Sequence, residues 1–368
     1  MAYNWQHQKW PDFVYEVQEI QPLIQSLAQE IGEVNGIILG LSEDLKQETL
    51  LQLMLFEAVK TSEIEGEIIS REDVMSSIRN NLGLNDSLIY VKDQRAGGIA
   101  KLMIEVRKSY DQPLGLDMLL DWHEMLMAGS KHINSGQWRT GTEPMQVVSG
   151  AYGREVIHYE APPSSEVAPE MKRFVQWYNT ATFSLKGEVA EAVLKSAVAH
   201  LYFESIHPFE DGNGRIGRAI AEKALSQSLG RPVMLSLSKI IEGNKSAYYN
   251  ALKEAQKSLE ITGWINYFAS VILEAQRDAK AMVKVTLKKS HFFDRYKYQL
   301  NERQLKAVNK MMQKGTEGFE GGMTAGKYIS ITKTSKATAT RDLQQLHTMG
   351  VLVQEGAGRS VSYQLNLI

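Results

Sequence analysis

A mainly α-helical chain, with one β-hairpin set into it and a small helix-and-strand module at its C-terminus, is what this sequence predicts. Three observations carry that expectation. Apolar residues recur at helical spacing between turn residues along most of the chain. A single pair of β-favouring runs flanks a Gly-rich turn at 146–159. Beyond residue 280 both the charge and the pattern change: residues 280–368 carry 15 Lys/Arg against 6 Asp/Glu, whereas the first 279 carry 26 against 37. The 368 residues, 43% hydrophobic and 23% charged, exceed one ordinary core and exclude a disordered or fibrous chain. No run approaches the roughly 20 apolar residues of a membrane helix, so no membrane partner is expected. With no cysteine, disulfides, thiolate nucleophiles and Cys-ligated zinc are excluded. The first eleven residues hold neither an apolar h-region nor a transit pattern, and a cytoplasmic location is expected.

Taken in order, the aromatic N-terminus, with Tyr3, Trp5, Trp10 and Phe13, is expected to pack against the body. Residues 42–59 are too apolar all round for a surface helix and read as a buried one. Ser70 to Asp73 has the S-x-x-D form of a helix start, and Gly83 ends that helix. Further helices are expected over 93–109, 116–128, 169–179 and 188–205. The hairpin at 146–159 closes at Pro162-Pro163 and has strand edges that must be covered or used. A helix from Trp264 to about Thr286 grows basic, and Lys288-Lys289 reads as the exit from the body. Then come a helix over 301–314, a Gly-rich stretch, and short helices around Ile329 and over 338–349. Two strands, 350–353 and 360–365, end the chain. This order resembles a winged-helix domain, in which Ala339 to Leu343 would lie on the recognition helix. Its positive charge suits nucleic acid, although a solvated basic face explains it equally.

The stretch from His207 to Arg218 carries the chemistry. Gly212 and Gly214 leave backbone N–H groups free to turn inward, and the helix that follows adds its positive end, which makes an anion nest. Arg215 and Arg218, three apart, can face one anion, and polyphosphate is the natural ligand. Asp211 supplies a hard oxygen suited to Mg²⁺, and His207 can accept a proton from an attacking hydroxyl.

These twelve residues match, at every fixed position, the motif His-x-Phe-x-[Asp/Glu]-Gly-Asn-Gly-Arg-x-x-Arg, and the chain thereby resembles the Fic (filamentation induced by cAMP) family. The resemblance implies a Fic-type helical bundle with a β-hairpin flap, and transfer of AMP from ATP, with Mg²⁺, to a hydroxyl of a target protein. It makes His207 the base, Asp211 the metal ligand, and Gly212, Asn213 and Gly214 the α-phosphate cradle. Arg215 and Arg218 would bind the β- and γ-phosphates, with Gly217 beside them, and Phe209 would anchor the loop. Upstream, Thr61 to Gly66 looks like the family's inhibitory [Ser/Thr]-x-x-x-Glu-[Gly/Asn] motif, in which Glu65 would pair with Arg218 and misplace the γ-phosphate.

The hairpin is similar to the family's flap, with Val147 and Val148 near its base, and would dock the target over 146–159. Tyr248 and Tyr249 resemble a tyrosine pair near the adenine, while Gln256 stands where some relatives place an adenine-contacting asparagine. Three regions follow from this reading: 1–100 with the inhibitory helix, a catalytic domain at 101–287 and a winged helix at 288–368. Two alternatives stay open: a hydrolase that removes AMP with the same site, and a DNA-binding regulator whose body senses nucleotide. The winged helix would contact DNA or protein, and a homodimer is an open expectation.

Overall fold

The structure, a computed structural model, describes residues 2–130, 132–149, 156–183, 185, 187–312, 319, 321–357 and 360–367. The expected hairpin turn at 150–155, part of the Gly-rich stretch, and Gly358-Arg359 lie outside them. In place of three regions divided at 100/101 and 287/288, the chain forms two compact units. One comprises Met1–Val34 with Leu50–Ala279, the other Asn35–Thr49 with Lys280–Ile368.

The chain up to Tyr296, which includes residues 35–49 and 280–296 of the second unit, is almost wholly helical among the described residues. Helices α1 (Val17–Leu39), α2 (Glu43–Ile64), α3 (Arg71–Asn81), α4 (Gln94–Lys108) and α5 (Leu116–Met127) precede an antiparallel pair, β1 (Gln146–Ser149) and β2 (Val156–Glu160). Then follow α6 (Ser164–Thr180), α7 (Glu188–Ile206), α8 (Asn213–Ser228), α9 (Leu237–Gly243), α10 (Lys245–Ala255) and α11 (Thr262–Tyr296). Ser70 starts α3 as expected, its hydroxyl accepting from Asp73 N–H, and Gly83 follows at φ +67. Helix α1 was not expected, because its buried residues, Ile20, Leu27 and Val34, recur only once in two turns.

The expected burial of residues 42–59 holds only for the second half of α2. Helix α7 is deeply enclosed, with every residue from Ala192 to Ile206 except Lys195 buried. It packs along α8, and the core around them includes Phe174, Tyr202, Phe203, Phe209, Ile216 and Ile220. The N-terminal segment joins this core through Trp10, while the Asn4 side chain donates to Ser205 Oγ at 2.8 Å. Helix α6 begins five residues ahead of Pro169, with Glu166 complementing the positive end of its first turn. Helix α11 runs through Lys288-Lys289, where an exit was expected, since neither Gly nor Pro interrupts 264–296.

In the second unit, α12 (Glu302–Met312), α13 (Ala325–Thr332) and α14 (Lys336–Thr348) lead into the antiparallel pair β3 (Leu352–Glu355) and β4 (Ser362–Leu365). Lys333, at φ +57, makes the corner between α13 and α14, and Ser335 caps α14 by accepting from Thr338 N–H. Met323 pairs with Tyr363 in a single isolated bridge beside this pair. Phe292, Val308, Met311, Tyr328, Leu343, Leu346 and Leu352 form this unit's own core. Among the described residues, no helix is long and apolar enough to cross a membrane.

Candidate active site

The connection between α7 and α8 is a tight corner held from several sides. His207 leaves α7 in the left-handed conformation, φ +50, and Pro208 cannot continue the helix. Asn213 ties the corner together: its Oδ1 accepts from Phe209 N–H and its Nδ2 donates to Phe209 O, both at 2.9 Å. The Asn213 side chain is thus spent on the loop itself. Phe209 is the anchor expected of it, fully buried and stacked 3.9 Å from His123.

Gly212 turns into α8 at φ +84, and a Cβ there would overlap the Met127 side chain. Gly212→Ala is therefore expected to cost about 1–3 kcal/mol, from left-handed strain and overpacking. Urea denaturation should show it as a lower midpoint.

At the start of α8 the N–H groups of the first turn have no partner within the helix and face outward. The carboxylate of Glu65 lies there. It comes so close to the Gly214 Cα that any side chain at 214 would overlap Oε1. Arg218, buried, donates from Nη2 to Glu65 Oε1 at 2.7 Å and to Thr61 O at 3.0 Å, and from Nε to Thr61 Oγ1 at 2.7 Å. Its Nη1 is sealed from solvent with no partner. Burial lowers its pKa, but the adjacent Glu65 carboxylate outweighs that and holds the guanidinium charged. Arg215 is engaged as well: Nη1 donates to Glu67 Oε2 at 2.9 Å and Nη2 lies 3.3 Å from Asp211 Oδ1. Glu65 and Glu67, at the end of α2 and just beyond it, thus hold the two arginines of α8.

His207 sits at the other side of the corner. Burial, followed by the charge of Arg139, pushes its pKa down to about 4, so the imidazole is neutral and able to take a proton near pH 7. Arg139 is itself buried and holds the corner by its fork, donating from Nε to His207 O at 2.7 Å and from Nη1 to Ser164 Oγ at 2.9 Å. It also donates to the carbonyls of Pro162 and Ile206, which joins the end of the hairpin to the His207 loop. Desolvation lowers its pKa to about 10. His123 supports the loop from beneath. Gly136 N–H donates to Nδ1 at 3.0 Å, so the proton is on Nε2, which donates to Asp211 O at 3.1 Å.

Asp211 is half-exposed at the rim, with Oδ1 accepting from Gly212 N–H at 2.6 Å. Among the described residues, no group of three or more His, Cys, Asp and Glu side chains is placed to hold a metal ion. One carboxylate at the edge of an anion nest fits only a hard cation that takes most of its ligands from phosphate and water.

Two residues expected at the site, Tyr248 and Gly217, are turned into the core. Tyr248 is buried and its hydroxyl bonds His200 Nε2 at 2.8 Å, so it is a core residue without a face for adenine. Tyr249, 42% exposed, leans toward the end of α2, its hydroxyl 3.4 Å from Ile64 O. Gln256 is buried against Glu204 O at 3.3 Å, which removes it from adenine contact. Gly217 does not face the nest: a Cβ there would overlap Glu204 Oε1. Val147 and Val148 pair with Tyr159 and Ile157 across an irregular register, and Val148 and Ile157 are both exposed.

Four participants escaped the sequence reading. Glu67 left a trace, a second acid two residues after Glu65, and Glu204 another, an acid one helical turn before His207. His123 and the fork of Arg139 left none, because their partners are backbone atoms far along the chain.

Comparison with known families matches residues 113–225 to the Fic/DOC family and residues 3–84 to a domain of unknown function, DUF4172. The chain is 24% identical over 236 residues to the protein adenylyltransferase fic-1 of Caenorhabditis elegans, covering 61% of this chain and 42% of that one. It is 33% identical over 98 residues to a probable protein adenylyltransferase of Aquifex aeolicus, 26% of this chain and 27% of that one. The matches thus span between about a quarter and two fifths of these relatives' lengths. In fold, it is similar to a Fic family protein from Desulfovibrio desulfuricans, with a TM-score of 0.53 at 19% identity over 94% of this chain and 96% of that one. A Fic domain containing signaling protein from Bacteroides thetaiotaomicron matches with a TM-score of 0.54 at 19% identity, over 71% of this chain and 97% of that one. The motif corner, helical bundle and hairpin agree with these matches: residues 113–225 match the Fic/DOC family, and the fold is similar to that of solved Fic proteins.

Proposed function

We propose that this protein transfers AMP from ATP to a hydroxyl group of a target protein and that Glu65 holds it in check. The observation that carries the reading is the Glu65 carboxylate on Arg218 over Gly214: an anion from the chain itself fills the anion nest. Where Glu65 and Glu67 now lie, the polyphosphate of ATP would meet Arg218, Arg215 and the first-turn N–H groups of α8. Neutral His207 takes the proton of the target hydroxyl as its oxygen attacks the α-phosphorus. The bond to the β-phosphate oxygen breaks and pyrophosphate leaves. Mg²⁺, which Asp211 would hold together with the phosphates, neutralises charge on them when bound. The hairpin has an unpaired edge and exposes Val148 and Ile157, which supports docking of an extended target segment there.

The test is the intact mass of Glu65→Gly protein after incubation with ATP and Mg²⁺, alone and with cell extract. A gain of one adenylate on this chain or a target supports the reading. Loss of adenylate from a modified target would favour the hydrolase.

For the second unit, the winged-helix reading is supported by α13, the Lys333 corner and α14 followed by the β3–β4 hairpin. Helix α14 exposes Lys336, Thr340, Arg341 and Gln344, while its acid, Asp342, is turned inward to Arg303 and Tyr328. Duplex DNA fits that face. Affinity should fall linearly with salt on a log-log plot, and Arg341→Ala should weaken it by about tenfold. Binding that ignores both salt and Arg341 would point to a protein partner.

A further inference from the structure

One buried acid has no place in the reaction as described. Glu204 lies on the last turn of α7, 5% exposed, with Oε2 3.7 Å from His207 Nδ1. Its Oε1 and the His207 Nδ1 are both sealed from solvent, and neither has a hydrogen-bond partner. Gly217 of α8 makes room for this carboxyl, since any side chain there would overlap Oε1. Packing alone does not call for such a residue. A buried carboxyl with an unpaired oxygen opposes folding, and an apolar side chain of similar size would fill the space without that cost.

We propose that Glu204 is a positioning residue for His207, receiving Nδ1–H when the ring takes up the hydroxyl proton on Nε2. It rests on the reading of His207 as the base. For Nε2 to be free to take that proton, neutral His207 already carries its hydrogen on Nδ1, and protonation strengthens this donor, which needs an acceptor in a place water does not reach. Glu204 offers two acceptors to the ring, its backbone carbonyl and its carboxyl, and an approach of under about 1 Å brings Oε2 within hydrogen-bond distance of Nδ1. The arrangement follows the general pattern of a base oriented by a third group behind it.

The other groups around Glu204 bear on its charge. Glu65 just past α2, Arg218 of α8, Tyr248 of α10, His200 of its own helix and His207 at that helix's end face it. Burial and then Glu65 push its carboxyl up to about 8, and Arg218 opposes them. With Glu65 in the nest, Glu204 is therefore mostly protonated near neutral pH. When Glu65 leaves, one source of that shift goes with it.

The test places Glu204→Gln and Glu204→Leu in the Glu65→Gly background, with His207→Ala as the reference for loss of the base. Glu204→Gln, which keeps an acceptor but no charge, is expected to lower kcat about tenfold, and Glu204→Leu about a hundredfold, with KM for ATP unchanged. In parallel, the imidazole ¹⁵N resonances of His207 are recorded in Glu65→Gly protein with and without Glu204→Gln. The Nδ1 resonance should move, while the histidines other than His200, which also faces Glu204, keep theirs. Unchanged kcat in both Glu204 variants, with His207→Ala inactive, would overturn the proposal and leave the adenylyltransferase reading standing. If no variant transfers adenylate, that reading fails, and the His207 resonance alone decides whether Glu204 orients the ring; an unmoved resonance rejects it.

Discussion

Glu65→Gly is expected to raise adenylate incorporation by about 10- to 100-fold over the unsubstituted protein, the size of one or two charged hydrogen bonds returned to the substrate. In the present state Arg218 spends Nη2 on Glu65, and the carboxylate lies against Gly214 where a phosphate oxygen would approach. Removing it frees the guanidinium and removes a like charge from the path of the polyphosphate. Thr61 still holds Nε, so Arg218 stays aimed at the nest. Glu67 remains on Arg215, and the gain should therefore fall short of what a fully emptied nest allows. Initial rates at saturating ATP measure this. An unchanged rate, with ATP shown to bind, would mean that the Glu65 contact does not restrain the reaction.

His207→Ala in the Glu65→Gly background should then lower the rate by about 10²- to 10⁴-fold, the range for loss of a positioned general base. Because burial and then Arg139 hold His207 neutral, the rate of the Glu65→Gly protein should show no loss of the His207 base between pH 8 and 6, and any decline there that Glu204→Gln removes belongs to protonation of Glu204. A free imidazole would lose much of its base form around ~6.5. The sign is that of a lowered pKa: protonation, and with it loss of the base, comes only as pH falls toward 4. A rate that halves near 6.5 would place the titrating base in a more exposed position than His207 has.

Much of this was legible in the sequence where local rules decide. The inward-turning N–H groups around Gly212 and Gly214, the arginines one turn apart, the cap at Ser70 and the two β-favouring runs of 146–159 are properties of short segments. The nest and the pairing of Glu65 with Arg218 followed from motifs of that length. What was not legible depends on contacts across the fold. Tyr248 and Tyr249 are adjacent and chemically alike, yet one is enclosed against His200 and the other is exposed. The fork of Arg139 addresses carbonyl groups, which every residue carries, so no residue type marks its partners. Asn213 could have served phosphate or loop, and only the 2.9 Å bonds to Phe209 decide between them. Gly217 illustrates the same limit, since its missing side chain serves Glu204 on a neighbouring helix.

The most direct test of the account compares ATP labelled at the α-phosphate with ATP labelled at the γ-phosphate, using Glu65→Gly protein and Mg²⁺. The account predicts protein-bound label from the α-position alone, lost when His207→Ala is added. Label from the γ-position, or α-label indifferent to His207, would contradict it.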